Sequence, residues 1–306
     1  MVKLASKTMQ LIEQMLEADQ GASYRLALRQ ILPKIEDAYR GVGKPFRKHL
    51  GASMIGQDCS RRLYYNFRWV AAPKSNATLI RLFNRGHLEE GRFLALFKIL
   101  EGHGIEFWYE TPDGGQFKFS DVHGHFGSAL DGVVRGIPDL PPGIPAYTEF
   151  KTSAEKGFKK LQAEGMQSAK YEHFIQCQIC MHKMNLPHTL YMVVNKNTDE
   201  IYAEIIDYDQ TVAESFIQRA SNIIYSRTVP ERISDNPTWY LCSFCSYKDI
   251  CHKGAPVDIN CRTCKFASPS KTGDGLWECE NGYNSFINSD KAMEGCEHHC
   301  LVNHFR

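Results

Sequence analysis

The cysteines of this 306-residue chain are concentrated near its carboxyl end. Of eleven cysteines, eight lie in the last 65 residues, where hydrophobic periodicity fades after Pro230 and Cys, Gly, Asn and His become frequent. So little apolar mass cannot bury a core of its own, and CxxC spacings in an intracellular chain indicate bound metal rather than disulfides. The sequence therefore predicts a small carboxyl-terminal fold that metal holds together.

The composition is that of a soluble globular protein. Hydrophobic residues make up 43% of the chain and charged residues 23%, and the formal net charge is +1. Any binding to nucleic acid must therefore come from local patches rather than from the charge of the whole protein. No apolar run is long enough to cross a bilayer, and the amino terminus reads as an amphipathic helix rather than a signal peptide. We expect a cytoplasmic protein with no membrane partner.

Hydrophobic periodicity predicts an α/β chain that begins with helices. Apolar residues recur at helical spacing through residues 2–40, 60–68 and 76–102. The period of strands follows at residues 105–110, 116–119, 127–134 and 146–152. A helix at 168–184, a strand pair at 189–195 and 200–206, and a helix at 208–227 complete the pattern. This order predicts a mixed β-sheet flanked by helices.

An acid and a lysine stand two residues apart at the end of one predicted strand. In the run YTEFKT, Glu149 and Lys151 share a strand face and Phe150 points towards the core. Asp131 lies on the preceding predicted strand. Carboxylates bind hard divalent cations, and a lysine can orient or activate water, so the set fits phosphodiester cleavage. A turn aspartate and a surface ion pair remain the alternative.

Two further candidate residues lie on predicted helices. His87 occurs in RGHLEE, ahead of the sheet. A neutral imidazole is a metal ligand, although a lone histidine on a helix is more often structural. Gln176 occurs in HFIQCQ, on the helix that follows the Glu149 strand, and could bind a DNA phosphate or the attacking water.

Together these residues resemble the PD-(D/E)xK nuclease superfamily, specifically its RecB-like branch, which includes CRISPR-associated exonucleases. The resemblance spans roughly residues 50–251 and implies a restriction-endonuclease-like core. It implies that His87, Asp131 and Glu149 bind Mg²⁺ or Mn²⁺. It also implies that Lys151 activates water and that Gln176 belongs to the family's Q-xxx-Y motif.

The chain departs from that motif, because Cys180 stands where the family has tyrosine. Tyr171, one turn upstream of Gln176, is a candidate substitute. We also predict that Tyr171 contacts DNA together with Arg61, Arg62 and Lys156, which flank the proposed centre in sequence. Solvent-facing positions are the alternative for these charged side chains.

Four cysteines form the first candidate cluster. Cys242, Cys245 and Cys251 have the spacing C-x2-C-x5-C, which can wrap zinc or an iron–sulfur centre. The fourth ligand must come from elsewhere, and Cys59 is a candidate, although a single such cysteine is more often a small buried apolar residue. RecB-like iron–sulfur nucleases carry one cysteine before the nuclease core and a C-x2-C-x5-C set after it. The resemblance therefore implies a [4Fe–4S] cluster that staples the two ends of the core.

A second set of cysteines follows at once. A CxxC pair and two spaced cysteines are typical of a four-thiolate zinc site, so we predict that zinc is bound by Cys261, Cys264, Cys279 and Cys296. Cys300, His298 or His299 could replace Cys296. The domains expected are thus a helical region at residues 1–50, a nuclease core at 51–252 and a zinc module at 253–306.

The sequence as a whole predicts a Mg²⁺- or Mn²⁺-dependent deoxyribonuclease. The expected substrate is linear DNA, possibly single-stranded, attacked from an end during recombination, repair or phage DNA processing. A recombination or replication protein is a possible partner, and a phage-encoded chain would act in the host cytoplasm. Two alternatives stay open: a nuclease fold that only binds DNA or assembles with partners, and a zinc-only nucleic-acid-binding protein.

Overall fold

A computed structural model describes residues 2–40, 46–281, 286–303 and 305, with side chains from 36 to 40 left out. Its helices are α1 Ser6–Ala18, α2 Ala22–Arg40, α3 Ala52–Ile55, α4 Ser60–Phe67, α5 Ala77–Lys98, α6 Glu155–Ala169, α7 Tyr171–Met184, α8 Gln210–Ile224, α9 Tyr240–Ser243, α10 Lys248–Lys253 and α11 Ser289–Glu294. Its strands are β1 Leu50–Gly51, β2 Glu106–Trp108, β3 Lys118–Asp121, β4 Phe126–Ala129, β5 Gly132–Arg135, β6 Pro145–Ser153, β7 His188–Asn195, β8 Ile201–Asp207, β9 Ala267–Pro269, β10 Trp277–Cys279 and β11 Phe286–Ile287.

The chain forms two compact units whose segments alternate in sequence. The first unit consists of Met1–Gly43, Ser75–Phe119 and Ala129–Ala213, and the second of Lys44–Lys74, Ser120–Ser128 and Glu214–Arg306. The linear domain boundaries at residues 50 and 252 stay a prediction.

A five-stranded mixed sheet organises the first unit. Its strand order is β2-β5-β6-β7-β8, and β6 and β7 are its one parallel pair among the described strands. Parallel neighbours require a crossover connection, which α6 and α7 provide. The predicted mixed α/β fold with helices ahead of the sheet is confirmed.

Helices cover both faces of this sheet. On one face, residues of α1, α2 and α5 pack against Phe150 and Leu190 in a continuous apolar core. On the other, α6 and α7 pack against Tyr147, Tyr191 and Val193. Burial of these apolar surfaces is the main stabilising contribution and fixes β6 between two helical layers.

Two local predictions were wrong in detail. The predicted strand 127–134 is interrupted, and β4 ends at Ala129 before β5 begins at Gly132. The predicted helix 168–184 begins at Tyr171, because Lys170 has a non-helical backbone. Helix α6, ahead of it, lacks a clear apolar stripe in sequence.

The second unit is built from short elements around buried aromatic and cationic side chains. Strands β1 and β4 pair in parallel, and β9, β10 and β11 form a small antiparallel sheet. Trp277 and Arg262 are almost completely buried, and the Arg262 guanidinium lies 4.9 Å from the Trp277 ring centroid. Cation–π contacts of this kind stabilise a small core with little aliphatic mass.

None of the helices within the described residues is both long enough and apolar enough to cross a membrane.

Candidate active site

Strand β6 presents the Glu149 carboxylate and the Lys151 ammonium on one face. Because successive side chains on a strand alternate, Phe150 points the other way, where its ring stacks on Phe93 with centroids 4.7 Å apart. The stacking fixes the strand against α5. The sheet therefore holds the acid and the base in a defined orientation.

The Glu149 carboxylate is buried and has three donors. Lys151 donates to its Oε1 atom, and the Tyr147 hydroxyl donates to Oε2. Gln176 Nε2 also donates to Oε2, over 3.0 Å. Glu149 is only 1% exposed, so these contacts compensate for much of the lost hydration of its charged form. Gln176 is thus connected to the site by its hydrogen bond to Glu149.

Asp131 occupies the break between β4 and β5. Its Oδ2 atom accepts a hydrogen bond of 2.7 Å from the Phe150 backbone N–H, which ties the break to β6. Burial raises the pKa of Asp131 above its ordinary value, while the Lys151 charge and the Phe150 N–H oppose that rise. The interruption of the strand is therefore what turns this carboxylate towards Lys151.

Glu90 on α5 is a site residue that sequence reasoning missed. It lies three residues after His87 in RGHLEE, on the same helix face, and Gln116 Nε2 donates to its Oε1 atom over 3.0 Å. Burial, and then the Asp131 charge, raise the pKa of Glu90 to about 7. The i,i+3 spacing from His87 is the signal that could have identified it.

A cavity of about 550 Å³ opens onto these acidic and basic side chains. Its lining includes His87, Glu90, Asp131, Lys151, Lys170 and Lys196. A second cavity, of about 740 Å³, shares His87, Glu90 and Asp131. The histidine and the two acids therefore lie where two cavities adjoin, with lysines on one side.

Three acids compete for protons around one lysine. Burial is the main reason that the pKa of Glu149 rises to about 7; Lys151 opposes the rise, and the Asp131 and Glu90 charges add to it. For Lys151, burial disfavours the ammonium, but Glu149 and Asp131 outweigh burial and raise its pKa. The three carboxylates next to Lys151 thus outnumber its single positive charge, which suits a site that takes up a divalent cation.

The residues predicted to contact DNA lie in different surroundings. Lys156 is exposed in the first turn of α6, and Tyr171 is exposed at the start of α7, stacked on Phe174. Cys180 is fully buried in the core of the first unit. Arg61 and Arg62 belong to the second unit, at the first cysteine cluster, and neither lines the cavity described above.

The first cysteine cluster lies within the second unit. Cys59 caps α4, where its Sγ atom accepts from the Arg62 backbone N–H over 3.4 Å. Arg61 Nη1 donates to Cys251 Sγ over 3.6 Å. Burial, and then the charges of Cys251, Cys59 and Cys245, raise the pKa of Cys242. Cys242 therefore lies within electrostatic range of the other three cysteines of this set.

The second cysteine cluster, Cys261, Cys264, Cys279 and Cys296, also lies in the second unit. Burial, and then the charges of Cys296, Cys264 and Cys279, raise the pKa of Cys261 to about 11. Cys300 contributes its backbone N–H, which donates to Cys264 Sγ over 3.5 Å. The His299 ring is hydrogen-bonded to the Thr263 hydroxyl over 3.1 Å. The choice between Cys296 and Cys300, His298 or His299 as the last ligand stays a prediction.

All eleven cysteines are free thiols. Among the residues that the structure describes, no three His, Cys, Asp or Glu side chains are arranged as a preformed metal-binding group. The donor chemistry nevertheless suits metals, because repelling thiols and carboxylates are stabilised when a cation neutralises their charge.

Comparison with known proteins gives structural matches alone. No protein-family model matches the chain, and no curated protein matches it significantly. The solved structure of SSO0001 is 16% identical, with a TM-score of 0.42, over 76% of this chain and 97% of the other.

The structures of an alkaline exonuclease (LHK-Exo) from Laribacter hongkongensis, one of them in complex with dAMP, are 14% identical. Their TM-score is 0.39, over 57% of this chain and 86% of theirs. At such values the assignment of function rests on the residues of the site.

Proposed function

We propose that this chain is a metal-dependent DNA nuclease of the PD-(D/E)xK type, RecB-like branch. The observation that carries the proposal is the convergence of Asp131, Glu149, Glu90 and Lys151, of which all but Glu149 line one cavity and Glu149 accepts from Lys151. Hydrolysis of a phosphodiester needs a bound cation, a proton acceptor or water-orienting group, and an open approach for the strand. The carboxylates would bind the cation, Lys151 would orient the water, and the cavity would admit the strand.

Each residue has a role in that proposal. Asp131 and Glu149 would hold Mg²⁺ or Mn²⁺, with His87 and Glu90 completing the ligand set. The bound cation polarises the scissile phosphate and lowers the pKa of a coordinated water. Lys151, kept protonated by its two carboxylate neighbours, orients the attacking water and offsets developing negative charge. Gln176 holds Glu149 in place through its amide.

Digestion of labelled linear DNA tests the proposal. With Mn²⁺ present, wild-type protein should shorten the labelled DNA. Glu149→Ala or Lys151→Ala should reduce the rate of DNA cleavage by at least about 10²-fold, the usual effect of removing a catalytic group. Lys98→Ala is the matched control, since Lys98 is an exposed lysine paired with Glu101. Absence of cleavage by purified, metal-loaded wild type would contradict the proposal.

The finer details are part of the same proposal. The substrate is linear DNA attacked from an end, with single strands favoured, in recombination, repair or phage DNA processing. The setting is the cytoplasm, that of the host where a phage encodes the chain, with a recombination or replication protein as a possible partner. Comparison of circular with linear DNA, each single- or double-stranded, separates these substrates directly.

We propose that Cys59, Cys242, Cys245 and Cys251 bind a [4Fe–4S] cluster. The donors that support it are the Arg62 N–H to Cys59 and the Arg61 guanidinium to Cys251, which stabilise thiolates. Anaerobically purified protein should be brown and contain iron, and Cys59→Ala should lose both. Cys180→Ala, at a buried core thiol, is the control. Colourless wild-type protein that contains only zinc would contradict the cluster.

We propose zinc for Cys261, Cys264, Cys279 and Cys296. Support comes from the electrostatic effect of Cys296, Cys264 and Cys279 on Cys261, and from the N–H of Cys300 at Cys264 Sγ. One zinc per chain should be found by metal analysis. Cys296→Ala should lose it and Cys300→Ala should keep it, and the reverse result would assign Cys300 as the ligand.

A further inference from the structure

A small cavity in the second unit has a strongly cationic lining. Its volume is about 190 Å³, several times the roughly 30 Å³ that a water molecule occupies in the liquid. Arg68, Arg227 and Lys265 supply three positive charges, and Thr228, Ser268 and Asn303 supply hydroxyl and amide groups. Within the described part of the chain, no carboxylate contributes to this lining.

Arg68 is the buried base of the cavity. It is 2% exposed, and its guanidinium donates to the carbonyl oxygens of Arg262 and Ala267, each over 3.1 Å, and of Ser226 over 3.3 Å. Its Nε atom is buried with no hydrogen-bond partner among the described residues. Carbonyl dipoles orient this cation without cancelling its charge, which remains available to an anion.

The other two cations lie at the rim. Arg227 is exposed and pairs with Glu280 through one nitrogen, at 2.7 Å, which leaves its other donors free to turn. The Lys265 ammonium is exposed and lies 4.9 Å from the Phe266 ring centroid. Two exposed cations and one fixed guanidinium, with hydroxyl groups in the same lining, are the donors that bind the several acceptor oxygens of a phosphate.

We infer that this cavity binds a phosphate group, carried by a nucleic-acid strand or present as the free ion. The inference concerns the second unit alone and does not depend on nuclease activity in the first. A phosphate seated there would accept from the two rim cations, beside the charge of the buried Arg68 guanidinium.

Substitution of the rim cations tests this without disturbing the buried arginine. Full-length Lys265→Ala and Arg227→Ala are compared with wild type and with Lys253→Ala. Lys253 is an exposed lysine of the same unit, paired with Asp249, that does not line the cavity. Equal thermal unfolding midpoints and metal contents establish that each variant is folded.

Two titrations identify the source of the phosphate. The first uses inorganic phosphate alone, followed by calorimetry. The second uses a single-stranded oligonucleotide without terminal phosphates, with no divalent cation added, in a Glu149→Gln background so that the strand is not cut. Each rim substitution should weaken binding about tenfold, the effect of one charge-assisted hydrogen bond, and Lys253→Ala should not.

The pattern of losses decides the outcome. Weakening in both titrations, or in the phosphate titration alone, supports a site for the phosphate group itself. Weakening in the oligonucleotide titration alone assigns the site to a strand, and the slope of log K against log salt should then fall by about 0.7 for each lost contact. Wild-type affinities within twofold for both rim variants, in both titrations, would overturn the inference.

Discussion

At the scale of single residues, strand periodicity predicted the geometry of Glu149, Phe150 and Lys151. Alternation alone requires that the acid and the lysine share a face, and the structure places them in contact. Glu90 could not be found in this way, because its importance arises from burial and from the neighbouring Asp131 charge. The sequence signal for Glu90 is instead its helical i,i+3 spacing from His87, which distinguishes it from the adjacent Glu89.

Glu90→Gln should weaken the response to metal. Removing one of the carboxylates around the cavity lowers its negative charge while the side chain keeps its shape. We expect about a tenfold increase in the Mn²⁺ concentration that gives half-maximal DNA cleavage. Glu101→Gln, an exposed glutamate paired with Lys98, is the control. An unchanged Mn²⁺ requirement would exclude Glu90 from the ligand set.

The raised pKa of Glu149 makes a prediction about stability in the absence of divalent metal. Its pKa is about 7 in the folded chain against an ordinary value of 4.5, so the folded state binds more protons between those values. Stability from this group is therefore present at low pH and is lost as the pH rises through 7. Shared titration with Glu90 and Asp131 makes roughly 3 kcal/mol an upper limit.

Urea unfolding of the metal-free protein at pH 5 and pH 8 measures this effect. Glu149→Gln stays neutral at both values, so its unfolding free energy should decline less over the interval than that of wild type. Titrating groups that do not interact with Glu149, such as His173, contribute equally to both proteins and cancel in the difference, whereas the effect on Asp131 and Glu90 belongs to the measured difference. The same decline in both proteins would show that Glu149 titrates normally.

At the scale of elements, the sequence predicted those whose pattern is strong and local. Helix α5 and strand β6 carry regular apolar spacing and appear where predicted. Helix α6 was not predicted, because Gly165 interrupts it with a non-helical backbone and its apolar residues gain their role only by packing under the sheet. The break at Asp131 was hidden for a similar reason: Leu130 instead donates to the Phe117 carbonyl, a long-range bond.

Gly132 is required by the packing of β5 against β2. A methyl group there would lie 2.7 Å from the Phe107 ring and 2.9 Å from the Trp108 carbonyl oxygen, and the latter is backbone that cannot simply rotate away. We expect Gly132→Ala to destabilise the fold by about 1–3 kcal/mol and to slow cleavage, because Asp131 precedes it directly.

Gly86→Ala provides the contrasting substitution. A methyl group at Gly86 meets no atom within 4 Å, and the residue lies inside α5. We expect a gain of about 0.5–1 kcal/mol from helix propensity. Denaturant midpoints of Gly132→Ala and Gly86→Ala measure both changes in stability. Equal midpoints for the two variants would show that the crowding at β5 is relieved by movement of β2.

At the scale of the whole molecule, the alternation of two units was beyond the sequence pattern. Each unit draws on separate stretches of chain, and only contacts between residues far apart in sequence assign a stretch to its unit. The cysteine pattern makes a long-range prediction, that Cys59 joins Cys242 in one metal site, and Cys59 acts electrostatically on Cys242. The spacing of candidate metal ligands thus makes predictions about tertiary structure, whereas hydrophobic periodicity makes predictions about local structure.

Removal of metal should therefore loosen the second unit selectively. All cysteines except Cys177 and Cys180 lie there, and a metal bound by them would link stretches of chain that are far apart in sequence. The first unit has a five-stranded sheet covered on both faces and needs no metal for its core.

Hydrogen exchange, followed by mass spectrometry before and after chelation, measures the difference. Amides of α4, α9 and α10 should lose protection by at least about tenfold, while those of β6 and β7 stay protected. The Cys177→Ala variant, altered at a buried thiol of the first unit, should respond to chelation as wild type does. Equal loss of protection in both units would mean that the metal sites stabilise the whole chain, and no loss in either would mean that the thiol clusters bind no metal.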